Sequence, residues 1–86
     1  MDKITIIELN RRLNEMFGTA FGIRSEADID FALTLGSNEK IAEHIIKNHP
    51  FIDGNKRTAV AILKFDSDVD STIRKNYDIL KLLSFV

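Results

Sequence analysis

The chain has 86 residues, 44% of them apolar, with 12 basic and 13 acidic side chains and no cysteine. That length supports one core burying roughly two thirds of the unfolded surface, so a single domain over 1–86 is expected. The absence of cysteine excludes disulfides and thiolate zinc sites and suits a reducing cytoplasm. Balanced charge excludes broad attraction to nucleic acid or membranes. No apolar run approaches the ~20 residues of a bilayer span, and no signal-peptide pattern opens the chain.

Ile6, Leu9, Leu13, Met16 and Phe17 recur at helical spacing. Thr5 and Glu8 form a capping-box pattern ahead of them, so the first helix is predicted over about 6–16, closed by Gly18. GTAFGIR, residues 18–24, reads as a loop, and its two glycines leave room for a short hairpin over 19–24. Ser25 caps a second helix, with Asp28 near its positive end and Ile29, Ala32 and Leu33 as its buried stripe. Gly36 stops it. Ser37 or Asn38 caps a third helix over about 39–48, burying Ile41, Ala42, Ile45 and Ile46. Pro50 forbids its continuation, because the residue before proline is pushed out of helical angles.

After Asp53-Gly54-Asn55 a fourth helix runs from about Lys56 to Phe65 on Ala59, Ile62 and Leu63, with Val60 beside them. Asp66-Ser67-Asp68 breaks the pattern. Asp70 or Ser71 starts a fifth helix with Ile73, Tyr77, Leu80 and Leu83 on one face. No convincing period-two strand is present. The fold class is all-α, a small bundle of about five helices. Residues Leu80 to Val86 are apolar enough to pack on the core or on a second copy of the chain, giving a homo-oligomer through the C-terminal helix.

The stretch NHPFIDGNKRTAV, residues 48–60, concentrates the chemistry. A helix starting near Asn55 presents backbone N–H groups without intrahelical partners at the positive end of its dipole. Such an end binds anions. Gly54 permits left-handed backbone and close approach of a ligand. Lys56 adds a point charge and Arg57 a planar fork suited to phosphate. A structural role alone would favour acidic residues at those positions. Asp53 would be repelled by phosphates unless a cation sat between them, and Mg²⁺ commonly bridges a carboxylate to phosphate oxygens. His49, whose ordinary pKa of roughly 6.5 lies near working pH, is the natural proton acceptor. The residues read as a site for a nucleotide triphosphate and Mg²⁺, with a base aimed at an incoming hydroxyl. Arg24 reads as a surface residue, with lining of the site through the 18–24 loop as the alternative, Thr58 as helix surface or a backbone hydrogen-bonder, and His44 as a solvated side chain. The long turn and low charge argue against a DNA-binding helix-turn-helix, so no direct nucleic-acid contact is expected.

His49-Pro50-Phe51-Ile52-Asp53-Gly54-Asn55-Lys56-Arg57-Thr58-Ala59 resembles the core motif of the Fic/Doc family, written HPFxDGNKRTA. Lys56 after Gly-Asn resembles the death-on-curing (Doc) branch. The Fic branch usually has glycine there and often a second arginine where this chain has Val60. Gly22-Ile23-Arg24 and Phe31-Ala32-Leu33 weakly resemble an upstream family region. The resemblance covers about residues 4–65 and implies a Fic/Doc-type helical bundle, shortened at the C-terminus, whose 19–24 segment is a flap. It implies that His49 is the general base, Phe51 a buried anchor and Asp53 the holder of Mg²⁺. Gly54 and Asn55 would help form an anion cradle, and Lys56 and Arg57 would contact phosphates. The function implied is transfer of the terminal phosphate of ATP to a hydroxyl of a target protein such as elongation factor Tu, in a toxin-type module paired with a small antitoxin. AMP transfer of the Fic kind, and a shortened inactive relative that binds only a nucleotide or partner, stay open as alternatives.

Overall fold

The computed structural model describes residues 1–83. Among them the regular structure is entirely helical: α1 (Lys3–Phe17), α2 (Glu26–Ala32), α3 (Asn38–Asn48), α4 (Asn55–Leu63), α5 (Val69–Lys75) and α6 (Tyr77–Leu82). The core gathers Ile6, Leu9 and Leu13 of α1, Ile29 of α2, Ile41 and Ile45 of α3, Phe51, Ile62 of α4, Ile73 of α5 and Leu80 of α6. Full burial of one such side chain stabilises by about 1.5–3 kcal/mol. α4 packs most extensively on α3, then on α1, and α6 lies against it as well. The start of α4 is therefore held from several sides.

Local chemistry sets most boundaries. Asp2, not Thr5, caps α1: its Oδ1 accepts from the Thr5 N–H at 2.8 Å. Glu8 instead pairs with Arg11. Gly18 closes α1 in the left-handed region, with φ 73°. Ser25 and Ser37 cap α2 and α3 through their hydroxyls. Met16, Ile46 and Leu63, expected in the buried stripes, are 44%, 40% and 49% exposed, because α1, α3 and α4 each bury a narrower face than the spacing suggests.

The predicted fifth helix is two. α5 starts at the Asp68 cap and ends at Asn76, whose side chain bonds back to the Thr72 carbonyl at 2.8 Å. Such back-bonding competes with the helix and turns the chain. Tyr77 then opens α6 and stacks on Phe17 at 5.8 Å. Leu80 is buried and Leu82 exposed. The rest of the apolar C-terminal segment, residues 84–86, lies outside the described residues.

Residues 19–24 do not fold into their own hairpin. Ile23 instead forms an antiparallel bridge with Phe51, and the Ile52 N–H donates to the Gly22 carbonyl at 2.9 Å. The loop after α1 thus braces the loop before α4. No helix of the described residues is long and apolar enough to cross a membrane.

Candidate functional site

α3 ends at His49, which takes left-handed angles (φ 48°, ψ 62°) while its N–H still bonds the Ile45 carbonyl. This turn swings the imidazole out of the helix and leaves it exposed. Pro50 follows, buried, and its carbonyl accepts from the Arg24 and Ser25 N–H groups at 2.7 and 3.0 Å. Phe51 drops into the core at 1% exposure. Arg24 bonds the Asn48 carbonyl and is not among the residues lining the site.

Asn55 closes the loop on itself. The Phe51 N–H donates to its Oδ1 at 3.0 Å, and its Nδ2 donates to the Phe51 carbonyl at 2.9 Å. Its side chain is thereby committed to the loop, and its backbone N–H is what it can offer an anion. Gly54 is the N-cap of α4 with φ 75°, and a Cβ there would lie 2.8 Å from Asn14 Oδ1. Both the angle and the space require glycine.

The first turn of α4 has no side-chain cap and no acidic residue. The first backbone bond runs from the Thr58 N–H to the Gly54 carbonyl, so the N–H groups of Asn55, Lys56 and Arg57 have no intrahelical acceptor. The Gly54 N–H meets the carboxylate of Asp53 at 2.8 Å. Lys56 is exposed and makes no ion pair among the described residues. Arg57 points inward: its Nε donates to the Leu80 carbonyl at 3.0 Å and its guanidinium lies 4.0 Å from the centre of the Phe17 ring. Burial pushes the Arg57 pKa down and the nearby Asp53 charge opposes that shift; the group stays cationic.

One cavity of about 430 Å³ collects these groups, within the ordinary range for small-ligand sites. It is lined by His49, Asp53, Gly54, Asn55, Lys56 and Arg57, with Phe17, Thr19, Ile52 and Leu83 around them. The fold therefore brings every sequence-predicted site residue to one opening except Phe51, which lies beneath. No group of three or more potential metal ligands exists among the described residues. Asp53 alone fits Mg²⁺ only as a partner to phosphate oxygens, the usual arrangement for that ion.

The sequence reading passes over two side chains that reach this loop. Asn10 and Asn14 of α1 are 0% and 1% exposed and bond the Asp53 carbonyl at 2.9 and 3.3 Å. Two asparagines four apart beside the Ile6-Leu9-Leu13 stripe were the available signal. Thr58, read as helix surface or a backbone hydrogen-bonder, is buried and accepts from the Asn10 side-chain Nδ2 at 3.0 Å. His44, read as solvated, is half-buried: Nε2 donates to Asp28 at 3.1 Å and Nδ1 accepts from Asn48 at 3.0 Å.

No curated protein and no solved structure matches the chain. The Fic/DOC family model matches residues 39–65, about a third of the chain. That match supports the resemblance read from residues 49–59. It runs from α3 through the loop and α4, and takes in every candidate site residue named from the sequence.

Proposed function

We propose that the protein is a phosphotransferase of the Doc kind, moving the terminal phosphate of ATP to a hydroxyl of a target protein. One observation carries the reading. The unpaired first-turn N–H groups of α4, Lys56 and Arg57 open on the same cavity as His49 and Asp53. Cations at a helix N-terminus oppose the dipole by about 0.3–1 kcal/mol each, a cost that a bound polyanion removes. The backbone N–H groups and Lys56 hold the phosphates in line. Asp53 is the residue that would hold Mg²⁺, which supplies charge neutralisation between phosphate oxygens. His49 accepts the proton of the incoming hydroxyl as its oxygen attacks the γ-phosphorus. The P–O bond to ADP breaks, and ADP leaves with the electron pair. Positioning and electrostatics supply most of the catalysis in this class of reaction.

Lys56 favours γ- over α-transfer, because its side chain occupies space that glycine leaves open in the Fic branch, and Val60 withholds a second arginine clamp. The target is a protein hydroxyl, with elongation factor Tu as the first candidate and a small antitoxin as the natural cover for the cavity. A cytoplasmic setting supplies both ATP and Mg²⁺.

The test is incubation with a cell extract and ATP labelled at the α or the γ phosphate. Label should pass to protein from the γ position only. His49→Ala should lower transfer by about 10²–10⁴-fold while leaving ATP affinity nearly unchanged. Transfer from the α position would establish AMP transfer instead. ATP binding with no transfer from either position would establish a binding module.

A further inference from the structure

We infer that Asn10 and Asn14 are positioning residues for the anion-binding turn: they hold the Asp53–Gly54 peptide with its N–H toward the cavity. The inference rests on the phosphate-site reading for its purpose, though not for its geometry. Asn10 Nδ2 donates to the Asp53 carbonyl at 2.9 Å and to Thr58 Oγ1 at 3.0 Å. Asn14 Nδ2 donates to Asn10 Oδ1 at 2.9 Å and to the same carbonyl at 3.3 Å. Thr19, itself in the cavity wall, donates to Asn14 Oδ1 at 2.6 Å.

In a trans peptide the carbonyl and the N–H point opposite ways. Drawing the Asp53 carbonyl in toward α1 therefore turns the Gly54 N–H outward, where it now meets the Asp53 carboxylate. Release of that carbonyl would let the peptide plane rotate and shift the Gly54 N–H, together with the Asp53 carboxylate that it holds beside the cradle. A short amide suits the task. It donates to the carbonyl and to a hydroxyl from one nitrogen while accepting on its oxygen. Leucine would fill the same core space but bond nothing, so packing alone does not call for asparagine. Gly54 is part of the device, since its Cα approaches Asn14 too closely for any side chain.

The test uses ¹⁵N-labelled protein and inorganic tripolyphosphate as the probe. Asn10→Leu and the milder Asn14→Ser should displace the Gly54 and Asn55 amide resonances of the free protein. They should also weaken tripolyphosphate binding, by about tenfold for Asn10→Leu. Thr58→Val cuts the same buried network without touching the carbonyl bond. It should lower the melting temperature yet leave the dissociation constant close to wild type. Asparagine variants that melt earlier but keep the Gly54 amide in place and bind tripolyphosphate normally would overturn the inference. If Asn10→Leu does not fold, Asn14→Ser decides on the same readouts. If the wild-type protein binds no tripolyphosphate, the phosphate reading fails. The free-protein Gly54 amide then decides this inference alone: displacement supports it and an unmoved resonance sinks it.

Discussion

Gly54 meets two demands at once, a left-handed backbone and contact with a buried asparagine. Gly54→Ala should therefore cost about 1–3 kcal/mol in a denaturant titration. A loss below about half a kcal/mol would mean that neither demand is real. Lys56, exposed and without an ion pair among the described residues, has no comparable structural work. Lys56→Gly should leave the fold intact, with about 0.5–1 kcal/mol lost to the added flexibility. It should weaken γ-phosphate transfer or redirect it to AMP transfer. An unchanged product and rate would remove the reason for preferring the Doc branch.

At the scale of elements, Arg57 ties three helices together. It belongs to α4, bonds the last turn of α6 at Leu80, and covers Phe17 of α1, which in turn stacks on Tyr77. Arg57→Met keeps the stem but removes the buried hydrogen bond to the Leu80 carbonyl. It should cost about 1–3 kcal/mol and speed amide exchange across 77–82. Exposed carboxylates held by local hydrogen bonds set the response to acid. The carboxyls of Asp2, Glu8 and Asp66 lie below their ordinary values, held there chiefly by hydrogen bonds from Thr5, Arg11 and Lys75. Lowered pKa values contribute stability above the unfolded values of about 4, and that contribution is lost as pH falls through the folded values. The melting temperature should be flat from neutral pH to about 5 and fall below 4, with Asp2→Asn flattening part of the drop.

The element scale also shows what could be read in advance. Ser25 and Ser37 were legible because a cap acts on residues three positions away. The start of α1 was misread because Asp2 and Thr5 are both cap types, and only Asp2 brings a charge to the positive helix end. The break at Asn76 was hidden by an apolar stripe that continues across it. The inward turn of Arg57 and the reach of Asn10 were not legible, since both depend on where another helix comes to rest. The candidate site was legible because it is contiguous in sequence and folds as one loop, pinned by Asn55.

For the whole molecule, the net charge is −1, so no global field draws in a polyanion, and the proposed function needs that attraction to be local to the start of α4. The bundle's contribution is to hold that start between α1, α3 and α6 and to leave its donors open. The most direct measurement is a titration of ¹⁵N-labelled protein with ATP in the presence of Mg²⁺. The backbone amides of Gly54, Asn55, Lys56 and Arg57 should shift together along one saturating curve. If those four stay in place while ATP is added to saturation, α4 does not hold the triphosphate and the account of this protein is wrong.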